Sequence, residues 1–168
     1  MIVIVFGLPG SGKSYFAVRL AGLLHAEYIK SDSLRTMVTG KHYSQQDKML
    51  VYDAMLERMK ALAKKRDVVI DATFYRQSLR ERFKEVVQKN GSMHFIEVIA
   101  DEPLIKERLK TARSDSDADF EVYKKIKDEW EPLKDEHLII QSTNDNIGEM
   151  LNKAKAYLHL NNDQKRNK

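Results

Sequence analysis

Cysteine is absent from the 168-residue chain. That excludes disulfides and thiolate metal centres, and nothing speaks for an oxidising compartment. No apolar run approaches the roughly 20 residues that cross a bilayer, so no membrane partner is expected and the expected location is cytoplasmic. The apolar opening, Met1–Phe6, lacks a basic flank and runs directly into a glycine-rich loop. It reads as a buried strand and not as a secretory leader. No internal repeat and no linker interrupts the sequence, which predicts one domain over residues 1–168. A strong charge of one sign is missing too. The formal net charge is +4, with Lys and Asp/Glu interspersed along helical stretches as on a solvated face. Only Lys165-Arg166-Asn167-Lys168 is a basic cluster, read as part of a flexible tail over about 161–168. A nucleic-acid partner is open but not indicated.

What is present is an ordinary globular balance, 42% hydrophobic with 32% charged, in enough chain to bury its own core. Apolar runs and helical periodicities alternate. Strands are expected at Ile2–Phe6, Glu27–Lys30, Asp67–Ala72, His94–Ala100 and His137–Gln141. Helices are expected at Ser14–His25, Gln45–Arg66, Arg76–Asn90, Pro103–Ala112, Phe120–Trp130 and Asn146–Leu158. Met49, Tyr52, Leu56, Met59 and Ala63 form the inward seam of the second helix, and Leu79, Phe83, Val86 and Val87 that of the third. Asn90-Gly91 is expected to close the third helix with a left-handed cap. Strands alternating with helices make a three-layer α/β fold with a parallel five-stranded sheet.

Gly7-Leu8-Pro9-Gly10-Ser11-Gly12-Lys13-Ser14 fits G-x-x-x-x-G-K-[ST] between a buried-type strand and an amphipathic helix. Glycines there let backbone N–H groups point inward at a helix N-terminus, an anion site. Lys13 supplies a point charge for the β- and γ-phosphates, and the Ser14 hydroxyl a ligand for Mg²⁺. Gly7, Pro9, Gly10, Ser11, Gly12, Lys13, Ser14 and Tyr15 are therefore the nucleotide-binding candidates, with ATP and Mg²⁺ as the expected cofactors.

Three classes use such a loop. A GTP switch requires N-K-x-D, and Asn152-Lys153-Ala154-Lys155 lacks the Asp. A motor ATPase requires an apolar strand ending in a water-orienting Asp-Glu. Asp101-Glu102 fits superficially, but Glu97 breaks the run and Pro103 makes the pair an ordinary acidic helix start. A kinase requires an acceptor-activating carboxylate, a metal-side carboxylate and cations over the transferring group. Asp32 and Asp71 end the second and third strands, where ligands bind in parallel sheets, and Arg108 and Arg113 flank a polar stretch suited to a lid. The competing structural readings are an N-cap of a helix Ser33–Val38 for Asp32, a turn carboxylate for Asp71 and a solvated helix face for Arg108. Phosphotransfer to a hydroxyl-bearing substrate of unknown class is the function expected. The alternative is an ATP-binding or ATPase regulatory module without an acceptor.

Four motifs together resemble the small P-loop kinases, which include polynucleotide 5′-hydroxyl kinases, zeta toxins and gluconate-type kinases: the loop at Gly7–Ser14, S-D-x-x-R at Ser31–Arg35, V-I-D-A-T-F at Val69–Phe74, and R-L-x-x-x-R followed by S-D-A-D across Arg108–Asp119. More closely the chain resembles a predicted-kinase branch, sometimes fused to aminoglycoside-phosphotransferase-like domains, which tends to share Glu131-Pro132-Leu133. The resemblance implies strand order 2-3-1-4-5 and a lid over about 108–120 between the fourth and fifth strands. It implies Asp32 as general base, Arg35 on the acceptor or ordering its pocket, and Asp71 and Thr73 at the acceptor, with Asp71 also near the metal. It also implies Arg113 and Arg108 on the phosphates of ATP, and Asn144, in Ser142-Thr143-Asn144, near the adenine ring. Polynucleotide kinases usually carry Asn where this chain has Phe74, which weighs against a nucleic-acid acceptor.

Overall fold

The computed structural model describes residues 1–38, 45–87, 92–110 and 119–159. Five strands, β1 Ile2–Phe6, β2 Glu27–Lys30, β3 Val68–Asp71, β4 Met93–Ile99 and β5 Leu138–Gln141, form one parallel sheet in the order β2-β3-β1-β4-β5. Parallel neighbours cannot be joined by hairpins, so helices cross between them and cover both faces. These are α1 Lys13–Leu24, α2 Ser31–Val38, α3 Gln45–Leu62, α4 Gln77–Val87, α5 Glu102–Lys110, α6 Phe120–Asp128 and α7 Ile147–Tyr157.

The two-residue period of β1 divides the core. Ile2, Ile4 and Phe6 enter a cluster with Met55 and Met59 of α3 and Leu79 and Phe83 of α4. Val3 and Val5 enter a second cluster with Phe16 and Leu20 of α1 and Met150 and Ala154 of α7. Each fully buried side chain of this size contributes about 1.5–3 kcal/mol. A central strand apolar on both faces is thus a stability requirement and not a mere composition bias. No helix among the described residues is long and apolar enough to cross a membrane.

The strand order is the one expected, and the strand bounds agree within two residues. Some side-chain directions differ. Met49 and Val86, expected inward, are 43% and 37% exposed. The α3 seam runs instead through Val51, Tyr52, Met55, Leu56 and Met59, beginning where the sheet first covers the helix. The chain passes from Lys30 into α2 at Ser31 without a separate capping residue, so Asp32 lies in the first helical turn and not at an N-cap before Ser33. Its carboxylate is favoured there by the helix dipole. The Asn90-Gly91 cap, the central lid segment with Arg113, and the basic tail lie outside the described residues.

Because the sheet is parallel, every strand ends at the same edge. The chain leaves β1 between β3 and β4, whose connections run to opposite sides, and a crevice opens there.

Candidate active site

Between the end of β1 and the start of α1 the backbone takes conformations that side chains resist. Gly7, Gly10 and Gly12 have φ of +153°, +77° and +92°. A methyl group on Gly7 would collide with the Val98 carbonyl oxygen, and one on Gly12 would sit 2.7 Å from Ser142 Oγ. Gly12 is the left-handed N-cap of α1, with no side-chain cap and no acidic residue in the first turn. The first helical bond runs from Phe16 N–H to the Gly12 carbonyl at 3.1 Å. The preceding N–H groups are left for an anion. Pro9 and Ser11 are buried within the loop, and Ser11 Oγ has no partner among the described residues. Lys13 Nζ touches the Leu8 carbonyl only at 3.5 Å. Tyr15 turns out to solvent, its ring beneath the Arg19 guanidinium at 3.4 Å. Its side chain does not line the loop, leaving only its backbone for the expected role.

Asp71 ends β3 on the face that Val69 presents to α1. Its side chain is buried. Tyr28 donates to Oδ2 at 2.8 Å, while Oδ1 has no hydrogen-bond partner among the described residues. Burial pushes the Asp71 carboxyl up from its ordinary pKa; the Lys13 charge and the Ser14 and Tyr28 hydroxyls pull it back, and Asp32 adds to the rise. Asp71, Lys13, Ser14 and Asp32 thus share one electrostatic neighbourhood. A buried carboxylate oxygen without a partner among the described residues, near a Ser hydroxyl and the Lys13 charge, is a donor set that fits a hydrated Mg²⁺.

Asp32 is about one-quarter exposed and forms an ion pair with Arg35, three residues along α2. This pairing keeps the carboxylate oriented but within reach of solvent. Beyond Asp71 the half-buried Thr73 precedes Phe74, whose φ of +47° is left-handed backbone that a bulky residue enters at a cost of about 1–3 kcal/mol. Asn tolerates that conformation through its short polar side chain. Phe74 is held in it by others. Its N–H donates to Tyr52 Oη at 3.1 Å, its carbonyl accepts from Arg80 at 2.6 Å, and its ring packs on those of Tyr52 and Phe83.

Arg80 was not foreseen as functional or buried. It is the largest fully buried side chain among the described residues, and its other terminal nitrogen donates to the Glu131 carbonyl at 2.6 Å. Glu131 in turn accepts from the Gln77 N–H at 2.5 Å, capping α4, and Leu133 enters the core. Glu131-Pro132-Leu133 thereby acquires a structural role. Glu131 is invisible as a cap in sequence because it lies 54 residues from Gln77.

Arg108 is not a solvated side chain. It donates to the carbonyls of Gly10 and Ser11 at 3.3 and 3.2 Å, to Ser142 Oγ at 3.2 Å, to the Thr143 carbonyl at 2.8 Å and to Asn144 Oδ1 at 3.3 Å. The planar fork ties the phosphate loop to the turn after β5. Arg108 and Asn144, both nucleotide candidates, are therefore brought together. The acidic residues at the end of β4 are engaged elsewhere. Glu97 meets His137 at 3.2 Å, Asp101 accepts from Gln141 at 3.0 Å, and Glu102 accepts from Tyr123 at 3.0 Å and pairs with Lys127.

The family described as an AAA domain matches residues 2–133, a span holding the loop, both carboxylates and Glu131. The chain belongs to that family. Compared by sequence with curated proteins, it matches none. Its fold resembles those of small P-loop kinases. A sugar kinase from Janibacter sp. HTCC2649 is 19% identical, with 95% of each chain covered and a TM-score of 0.74. A gluconokinase from Sinorhizobium meliloti 1021 is 22% identical, covering 94% of this chain and 91% of that one at a TM-score of 0.71. The APS kinase of Mycobacterium tuberculosis, solved with AMPPNP and APS, is 16% identical, covering 94% and 96% at 0.72. At these identities the likeness establishes the fold of this AAA-domain family member, a P-loop kinase fold, and its chemistry has to be argued from its own residues.

Proposed function

We propose that the chain is an ATP-dependent phosphotransferase that moves the γ-phosphoryl group to a hydroxyl of its acceptor. The observation that carries this reading is the pair of carboxylates at adjacent strand ends. Asp71 is buried beside Lys13 and Ser14, while Asp32 is open and oriented by Arg35. One carboxylate suits a metal's water shell and the other a hydroxyl proton. A module that only hydrolyses ATP has no use for the second, and the acidic pair after β4 that would serve a motor is tied to α6 and β5.

In this reading the loop N–H groups and Lys13 hold the phosphates, and Gly7, Gly10 and Gly12 permit the approach. Ser14 and Asp71 hold Mg²⁺, which when bound neutralises charge on the β- and γ-phosphates. Asp32 accepts the acceptor's proton as its oxygen bonds to the γ-phosphorus, while the bond from that phosphorus to the bridging oxygen breaks and ADP leaves. Orientation matters more than a large pKa shift for such a loose transition state. Arg35 and Thr73 lie on the acceptor side. Arg113 is the remaining cation for the γ-phosphoryl oxygens, and Arg108 with Asn144 borders the base side.

The test is transfer from radiolabelled ATP into a metabolite extract, with products resolved by mass spectrometry. The wild type should label an organic acceptor. Asp32→Asn should lower that labelling about 10²–10⁴-fold with little change in ATP-analogue affinity. Lys13→Ala should lose the thermal stabilisation given by Mg·ATP while its own stability changes little. Release of label only as inorganic phosphate, undiminished by Asp32→Asn, would instead establish the regulatory ATPase.

A further inference from the structure

Tyr28 reaches inward from the edge of the sheet. It lies on β2 opposite Val69 of β3, two residues before Lys30, which stands opposite Asp71. Residues two apart on a strand share a face. Tyr28, Val69 and Asp71 therefore look to the same side, the one covered by α1, with Tyr28 and Asp71 related diagonally across the strand pair. That span is within reach of a long aromatic side chain. Tyr28 packs against the apolar cluster built on α1 and α7, so its ring is held. The polar tip of that ring donates to Asp71 Oδ2 at 2.8 Å.

The two oxygens of this carboxylate are treated differently. Oδ2 is engaged by Tyr28, while Oδ1 is buried and has no hydrogen-bond partner among the described residues. A carboxylate that served only to tie β2 to β3 would have both oxygens satisfied, because a buried polar atom left alone is costly. Position adds a second argument. Asp71 stands opposite Val5 of β1, two residues before Gly7, and so at the level where the phosphate loop begins. The last torsion of an aspartate is soft and nearly two-fold, so Asp71 by itself cannot keep one particular oxygen in one direction. A hydrogen bond from a ring fixed by packing removes that freedom.

We propose that Tyr28 is the positioning residue of the metal-side carboxylate: its hydroxyl holds Asp71 Oδ2, so that Oδ1 is kept for the water shell of a divalent cation bound with the nucleotide. The proposal rests on the reading of Asp71 as that carboxylate, and deepens it by assigning the two oxygens separate tasks. Tyr28 acts through Asp71 and not on the reacting atoms. Groups that orient a metal's ligands in this way change metal affinity by about 10–100-fold when removed. Nothing in the sequence marks Tyr28 for the role, since it lies 43 residues from Asp71 inside an ordinary strand.

The experiment is isothermal titration of AMPPNP, once with Mg²⁺ and once with EDTA, into the wild type, Tyr28→Phe, Asp71→Asn and the double variant. The wild type should bind more tightly with Mg²⁺. Tyr28→Phe should weaken binding with Mg²⁺ by about tenfold and leave binding in EDTA as it was. Added to Asp71→Asn it should change the Mg²⁺-dependent gain no further, because the hydroxyl acts through the carboxylate. With Mn²⁺ in place of Mg²⁺, the electron paramagnetic resonance spectrum of the AMPPNP complex should differ between Tyr28→Phe and the wild type. Thermal unfolding checks each fold, and Tyr28→Leu, apolar and without a hydroxyl, serves where the first variant is unstable. An unchanged Mg²⁺-dependent gain in Tyr28→Phe would overturn the proposal. So would an equal loss with and without metal, the mark of packing alone, or an undiminished effect in the Asp71→Asn background. A full gain kept by Asp71→Asn itself, or no gain in the wild type, is distinguishable from these: it removes the metal-side reading of Asp71, and the proposal with it.

Discussion

Over β1 and β5 the molecule offers its backbone to a ligand; over β2 and β3 it offers side chains. On the first side Gly7, Gly10 and Gly12 shape the surface, and Arg108 spends its hydrogen bonds on fastening the loop to residues 142–144. On the second, Asp32 and Arg35 pair on α2, and Lys48 of α3 and Arg76, just before α4, lie over the Tyr75 ring. Backbone N–H groups read a phosphate, which every nucleoside triphosphate has. In the proposed reading, side chains would read whatever is attached to the hydroxyl. Generic recognition is therefore built from conformation, and specific recognition from charge placed on exchangeable positions.

That contrast can be broken or sharpened, and Gly7→Ala should give the largest effect. The added methyl meets the Val98 carbonyl in a backbone conformation that resists it, so urea unfolding should show a loss of about 3 kcal/mol. A neutral result would mean that the loop is softer than its contacts imply. Arg80→Met comes next. It strips the Phe74 and Glu131 carbonyls of their buried donor, for an expected loss of about 2–3 kcal/mol. The side-chain half should suffer more than the backbone half, with acceptor transfer falling further than analogue affinity. An equal fall in both would show that the two halves are one unit.

The smallest effect is expected at Asp71. Burial raises its pKa in the folded state, so the native protein holds that proton more tightly than the unfolded chain does. Its stabilising contribution is present at low pH and declines as pH rises from the ordinary carboxylate range through the raised value. Asp71→Asn should flatten that decline in thermal-unfolding midpoints measured against pH, and leave the apo protein slightly more stable at neutral pH. It should also lose the Mg²⁺-dependent part of nucleotide binding. A variant with the same pH profile as the wild type would place the titration elsewhere.

The backbone half was legible in the sequence because its requirements are local. Glycines at Gly7, Gly10 and Gly12, a buried strand before them and an amphipathic helix after them lie within one short stretch. The strands and the two carboxylates that follow β2 and end β3 were legible for the same reason, while the strand order came from the resemblance to small P-loop kinases. The rest depends on residues far apart. Arg80 looks like a solvated helical arginine until Phe74 and Glu131, 51 residues beyond it, converge on it. Arg108 is fastened to residues 142–144, more than thirty positions along the chain, a connection that no local pattern marks. Met49 and Val86 fit the helical period yet remain partly exposed. Periodicity says which residues share a face, and only packing says how far along the helix that face is covered.

The register of the sheet has a consequence for how such a protein can diverge. Asp71 lies beside Lys30 of β2 on one side and Val5 of β1 on the other. Its aim toward α1 depends on the two-residue step that separates it from Val69. One residue inserted within β3 would turn the carboxylate to the opposite face and bury it among the apolar side chains of α3 and α4. A residue inserted after α3, in Ala63–Asp67, would be absorbed by the turn. Insertions and deletions are thus confined to the connections, and the lengths of the strands behave as fixed rulers. Such a scaffold can acquire new acceptors by remodelling the stretches around α2, α3 and α6, while the spacing from Ile2 to Lys13 and from Val68 to Asp71 stays closed to change.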